Sequence, residues 1–190
     1  MQTAVTMHMA QKYRISASNG KKVFDFLKQN FGCNRKVYNL CVDSLYSQLE
    51  AAGYQSGDDI PKVKFPKITE LKKEFEYLKK VDSQGLSNSI MDFKSAWEKY
   101  VAKCDHTTYT KRAIRREESG TEALSFRGLK GMPKFHAKVR GYNSYRTVAQ
   151  YPGKSNNLRN ATVRLVGDIL YVPKMKEGIK LVIHRDFPEC

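Results

Sequence analysis

Apolar residues fall two apart at the start of the chain. Val5, Met7 and Met9 alternate with their neighbours, and then Tyr13 and Ile15 take one side while Lys12, Arg14 and Ser16 take the other, a pattern that predicts a strand. From about Lys21 the period lengthens. Val23, Phe24, Leu27 and Phe31 form a helical stripe, with Ser16, Ser18 and Asn19 as N-cap candidates. Gly32 is expected to interrupt it before a second helix carrying Val37, Cys41, Leu45 and Leu49, which Gly53 ends. Two helices with so short a break are expected to be antiparallel or sharply bent neighbours.

The text from Tyr54 to Pro66 is turn-rich, and KITELKKEFEYLKKV after it predicts a short charged helix with Ile68, Leu71, Phe75 and Leu78 inward. SQGLSNSIMDFKSAWEKYVAK predicts a longer one, placing Leu86, Ile90, Phe93, Trp97 and Val101 on one face with Asp82 or Ser83 as N-cap. Trp97 lies on that apolar stripe, where a core role is commoner than a base-stacking platform. Four helices make a small bundle. After Lys103 the chain turns polar and basic without a sustained period, as a linker or a loop ordered by a partner would. ATVRLV and ILYVP flank Gly167 and Asp168 as a hairpin, and IKLVIH adds a third strand.

Strands at both ends therefore enclose a helical block. The N-terminal strand needs partners, and the only other strands are C-terminal. The expected architecture is α+β, a β-barrel-like unit interrupted by a helical insertion. Its segments are an N-terminal strand at 1–16, a helical domain at 17–104, a basic linker at 105–130 and a C-terminal β part at 131–190.

Charge adds a partner to this outline. Among 190 residues, 34 Lys and Arg face 19 Asp and Glu, a formal net charge of +15. Such a chain repels itself unless a polyanion or many counterions sit beside it. The excess is uneven, since residues 106–150 carry ten basic and three acidic side chains, a net of +7. Within KGMPKFHAKVRGYNSYRT (130–147), Lys130, Lys134, Lys138, Arg140 and Arg146 stand among Phe135, Tyr142 and Tyr145 with no acidic residue. Basic residues interleaved with aromatics and amides fit nucleic acid better than a membrane surface. The plainer alternative is a solvated basic loop. In the nucleic-acid reading Lys134, Lys138, Arg140 and Arg146 neutralise phosphates. His136, Asn143, Ser144, Tyr145 and Thr147 stand beside them, and Gln150, Tyr151, Asn156 and Asn157 follow, as polar and aromatic groups able to touch backbone or read and stack on bases.

Enzymatic signatures are scarce. There is no Gly-rich phosphate loop, no G-x-S-x-G, no H-E-x-x-H, and no pair of strand-end carboxylates set for a divalent metal. No catalytic residue is assigned. Asp168 belongs to its turn, and His136 has no partner carboxylate, so a phosphate or backbone contact suits it better than acid–base chemistry. Cys33, Cys41, Cys104 and Cys190 form no C-x-x-C pair and are expected to be buried or idle thiols, so no metal or cofactor is expected in this chain. No apolar run approaches a membrane span, and the opening MQTAVTMHMAQKYR has no continuous apolar core, so a soluble protein of a reducing compartment is expected.

Four blocks resemble, in order, the N-terminal half of TnpB, the insertion-sequence protein also called OrfB and related to compact type V CRISPR effectors. They are FGCNRKVYN (31–39), VDSQGLSNSIMDFKSAWEKYV (81–101), GMPKFHAKVRGYNSYRT (131–147) and ILYVPKMKEGIKLVIHR (169–185). The resemblance implies a β-barrel wedge domain (WED) interrupted by a helical recognition domain (REC), both holding a guide RNA and a target DNA. RNA–DNA pairing reads the target there, and protein reads a short adjacent motif on the duplex. In that family the motif is contacted from the start of the last REC helix and from the segment after S-Y-R-T, which correspond here to Ser83, Ser87, Gln150 and Tyr151. It also implies a prokaryotic, cytoplasmic protein, nucleoid-associated when bound to DNA.

Departures from the family set further expectations. The sequence stops at HRDFPEC, near where a RuvC nuclease domain with three metal-binding acids and a zinc ribbon would begin. The chain is expected to bind guide RNA and target DNA without cutting, with Mg2+ needed only for the missing RuvC part, whether truncated or supplied as a separate polypeptide. His136 stands where Lys or Arg is common in the family. The alternatives are a free-standing repressor built on the same surfaces and a structural RNA-binding protein of the ribosomal kind.

Overall fold

Helix α1 (Lys21–Ala51) runs through Gly32 without a break, contrary to the two helices expected there. Nothing lies within 4 Å of where a Gly32 side chain would begin, so no close approach demands the glycine. A helical glycine costs about 1 kcal/mol against alanine. Leu27, Cys33, Val37, Cys41, Leu45 and Leu49 are buried along the same helix, at roughly 1.5–3 kcal/mol for each large apolar side chain. Packing outweighs propensity, and the helix continues. It ends as expected at Gly53, whose φ of 64° lets Tyr54 N–H reach back to Leu49 O at 3.0 Å.

The structure, a computed structural model, describes residues 12–55, 58–103, 127, 129–150 and 161–184. Val5, Met7, Met9, most of the expected linker, Cys104, Tyr151, Asn156, Asn157 and Cys190 lie outside the described residues. The chain divides into two compact units, Met1–Phe26 with Ala149–Cys190 and Leu27–Val148.

The first unit is a four-stranded antiparallel sheet of order β1–β4–β3–β2, built from β1 (Arg14–Ile15), β2 (Arg164–Val166), β3 (Ile169–Tyr171) and β4 (Ile179–Val182). The N-terminal strand pairs with the C-terminal one, Arg14 opposite Val182 and Ile15 opposite Leu181, as its need for partners predicted. The Gly167–Asp168 hairpin sets Val166 opposite Ile169 and Arg164 opposite Tyr171. Among the described residues the sheet is open, not the barrel-like closure expected. Four strands of two to four residues are too few and too short to curl edge to edge. Asn19 does not cap α1. Its amide donates to Lys180 O at 2.8 Å and accepts from Lys180 N at 2.8 Å, so a side chain extends the ladder beyond β1.

The second unit packs α1 against α2 (Ile68–Glu74), a 3-10 turn (Glu76–Lys80) and α3 (Ser83–Lys103). The charged helix expected from KITELKKEFEYLKKV is split at Phe75, whose φ of −117° and ψ of 88° leave the helical region. That turn places Leu78 and Val81 in the core with no exposure. Asp82 is the N-cap of α3, accepting Gln84 N–H at 3.0 Å. Leu45, Leu49, Leu86, Phe93 and Tyr100 are fully buried, and Trp97 stacks on Tyr100 inside the same cluster, which fits its core role. Residues 129–148 belong to this unit rather than to the sheet.

Two glycines give opposite predictions for urea unfolding. Gly32→Ala fills open helical space and should stabilise the protein by about 0.5–1 kcal/mol. Gly178 has a φ of 72°, and a Cβ there would lie 2.4 Å from Ile169 Cγ2. Gly178→Ala should therefore destabilise by about 2 kcal/mol or more.

Candidate nucleic-acid interface

One face of α1 carries Phe31, Arg35, Tyr38, Asn39 and Tyr46 at helical spacing. The basic segment 129–148 runs along that face as a strap, in the opposite direction to the helix. Tyr46 Oη–H donates to Pro133 O at 2.8 Å. Asn39 accepts His136 N–H at 2.8 Å and donates to His136 O at 3.0 Å. Arg35 Nη1 donates to Tyr142 O at 3.0 Å and to Asn143 Oδ1 at 3.1 Å. The Tyr145 ring then meets Phe31 at 6.1 Å. As strap numbers rise from 133 to 145, helix partners fall from 46 to 31.

A 3-10 turn at Lys138–Arg140, closed by Gly141 with φ 78°, takes up slack between the second and third attachments. At the near end Leu129 and Met132 enter the core. At the far end the strap reaches α3, where Asn88 Nδ2 donates to Arg146 O at 2.8 Å and Tyr145 Cδ2 would lie 2.8 Å from a Cβ on Gly85. Only a residue without a side chain admits that ring. Burial, with the nearby Asp82 charge, pushes the Tyr145 phenol up to about 12, so it stays neutral.

His136 is the middle of an aromatic column. Its ring stacks on Tyr38 at 3.7 Å and 8°, and on Tyr142 at 3.9 Å and 7°. Burial and then the Arg35 guanidinium hold its pKa below the ordinary histidine value, with Asp92 opposing them. The imidazole is therefore neutral at pH 7, and its main chain is spoken for by Asn39. This is a packing position, with both ring faces covered.

The other candidate residues separate by what they touch. Lys134, Lys138 and Arg140 are exposed and make no ion pair among the described residues, and Val139 at the tip of the turn is 98% exposed. Ser144 is also exposed, and Asn143 lends its carbonyl to Arg35. Arg146 is committed to Asp92 at 2.6 Å. Thr147 Oγ1 is buried with no hydrogen-bond partner among the described residues. Ser83 accepts from Lys72 Nζ at 2.7 Å, and Ser87 donates back to Ser83 O at 3.1 Å. Both stand on the α3 turns that carry Gly85 and Asn88, so the structure brings them into the same unit as the strap. Gln150 lies in the sheet unit, where its N–H donates to Thr162 Oγ1 and its carbonyl accepts Thr162 N–H, each at 2.9 Å.

Sequence reasoning missed Arg35, Tyr38, Asn39 and Tyr142. The signal was present, because FGCNRKVYN sets Arg35, Tyr38 and Asn39 on a second face of α1, beside the apolar stripe of Val37, Cys41 and Leu45. Cys33 and Cys41 are buried free thiols, the latter pushed up to about 12 by burial, which removes it as a nucleophile at neutral pH. Among the described residues no group of His, Cys, Asp and Glu is placed to hold a metal, and no helix is long and apolar enough to cross a membrane. In comparisons with known proteins, the sequence matches no family model and no curated protein.

Asn39→Asp keeps the shape and replaces the donor to His136 O by a second acceptor. It should cost about 1–3 kcal/mol in denaturant unfolding and raise hydrogen exchange at the His136 amide. The His136 imidazole should titrate below 6.5 by NMR. Because the folded protein takes up that proton less readily than the unfolded chain, stability should fall as pH drops through 6.5 and level off below the folded value. A midpoint at or above 6.5 would contradict the sandwiched geometry.

Proposed function

We propose that this chain binds nucleic acid through the outer side of the strap, as the WED and REC portion of a TnpB-like RNA-guided nuclease that holds a guide RNA and a target DNA. The observation that carries this reading is the division of the strap into two sides. Its inner side is fastened by the Asn39 amide, the Tyr46 hydroxyl, stacked rings and the Arg35 guanidinium, while Lys134, Lys138 and Arg140 stand outward with no carboxylate partner among the described residues. A loop kept only for solubility needs charge but no fastening; a surface that must meet a polyanion repeatedly in one geometry needs both.

Three features support the wider reading. The net charge of +15 asks for a polyanionic partner. A sheet built from both chain ends around a helical block matches the interrupted arrangement the resemblance implies. The resemblance puts contacts to the adjacent motif at Ser83 and Ser87, and these lie on the α3 turns that also touch the strap. In this reading the chain grips and positions the polymers, and cutting falls to a RuvC-type half with its own metal acids.

Sequencing of nucleic acid that copurifies with the protein should return one defined RNA. Duplex DNA with a sequence preference would favour a repressor instead, and ribosomal RNA a structural role. Replacing Lys134, Lys138 and Arg140 together by Ala should weaken binding to every sequence and reduce the slope of log affinity against log salt by about 2–3, roughly 0.7–0.9 for each phosphate no longer neutralised. An unchanged slope, or no binding to any oligonucleotide in dilute salt, overturns the reading.

A further inference from the structure

Among the described residues the column of stacked rings Tyr38–His136–Tyr142 ends at Tyr142. Tyr142 covers one ring face with His136 and is 41% exposed, with no other ring stacked on it among the described residues. The column's spacings of 3.7 and 3.9 Å, with tilts of 8° and 7°, lie close to the roughly 3.4 Å step between stacked bases. The geometry points to the outer face of Tyr142 as a stacking platform for one unpaired nucleobase, the fourth ring of the column. This inference rests on the nucleic-acid reading and adds to it the group that senses bases rather than phosphates.

The platform is built before any ligand arrives. Tyr142 is held from behind by Arg35, whose Nη1 reaches the Tyr142 carbonyl at 3.0 Å and Asn143 Oδ1 at 3.1 Å. Asn143 N–H donates to Gly141 O at 2.7 Å, which tightens the turn on which the ring stands. The ring therefore has little freedom left to lose on binding. Lys138 and Arg140 occupy the turn immediately before it, and neither is ion-paired among the described residues. Cations beside a flat neutral face are the combination by which single strands are held, the charges on the sugar-phosphate chain and the ring on the base. An aromatic kept only for packing gains from being covered on both faces; among the described residues His136 has a ring on each face and Tyr142, 41% exposed, has a ring on one.

The chain is compared for oligouridylate, oligothymidylate and an abasic oligomer with the same number of phosphates, in the wild type and in Tyr142→Ala and Tyr142→Trp. The wild type should prefer base-bearing oligomers over the abasic one, and Tyr142→Ala should lower that preference by roughly 5- to 100-fold while leaving abasic affinity in place. Tyr142→Trp should retain the preference, and its emission should be quenched by the base-bearing oligomers and not by the abasic one; Trp97, buried in the core, serves as background in the wild type. Quenching by RNA alone, DNA alone or both supports the platform and identifies which strand it takes. A base preference unchanged in Tyr142→Ala overturns the inference while leaving the salt-dependent grip standing. Should Tyr142→Ala lose its fold, unquenched tryptophan emission on a bound oligomer overturns the inference by itself. If no oligomer binds, abasic included, the inference and the reading beneath it fall together.

Discussion

The two-way hydrogen bond between the Asn39 side chain and the His136 backbone is the constraint on which the basic segment depends. A carboxamide offers one acceptor and two donors in a plane, so it can pair with a passing peptide much as a neighbouring strand would. Asn39 does this at 2.8 and 3.0 Å, and the strap gains a fixed register without a sheet. The same device recurs where Gln48 holds Lys64 through two bonds of 2.8 Å, tying the turn-rich segment to α1, and where Asn19 holds Lys180 of β4. Irregular backbone that passes a helix must satisfy its polar groups somewhere, and amides on α1 do it at His136 and Lys64, while at the sheet edge the Asn19 amide, outside any regular element, pairs with the strand.

From that register the rest of the strap follows. With His136 fixed to Asn39, its ring falls one position away on Tyr38, and the 3-10 turn returns Tyr142 to cover the other face. Arg35, one helical turn earlier than Asn39, is then in reach of the Tyr142 carbonyl. Each hydrogen bond contributes only about 1 kcal/mol net, so the Asn39 pair sets the register and the other attachments share in holding it. Acting together on one rigid helix face, they select one arrangement, since slipping by one residue would leave Asn39, Arg35 and Tyr46 without their partners at once.

Much of the architecture was legible in the sequence, because periodicity reports which side of an element is buried. The core stripe through Phe93 and Trp97 follows from it, the hairpin at Gly167 and Asp168 and the stop at Gly53 follow from turn and cap residues, and the pairing of the first strand with a C-terminal one follows from its need for partners. Gly32 was misread because propensity is local, while the burial that carries α1 past it comes from residues on both sides of the glycine and from the elements they pack against. Closure of the sheet was misjudged because alternation gives strand identity and not strand length; the observed strands have two to four residues. For the strap, charge and aromatics marked the right segment. They did not distinguish an outward Lys138 from an Arg146 bound to Asp92, because pairing depends on which residue of α3 lies opposite.

That distinction changes how the basic segment acts. Five Lys and Arg occupy 130–147, yet Arg146 is matched by Asp92, while Lys134, Lys138 and Arg140 face outward without a carboxylate among the described residues. An exposed pair such as Arg146–Asp92 is worth about 0–1 kcal/mol, so a phosphate can compete for the arginine, though Asp92 then stays behind as a like charge beside the phosphate. Lys134, Lys138 and Arg140 by themselves give a modest, salt-sensitive grip. Charge on these three residues cannot by itself hold a strand in register, which is why the rigid backing of rings, amides and the Arg35 guanidinium matters to the proposed interface.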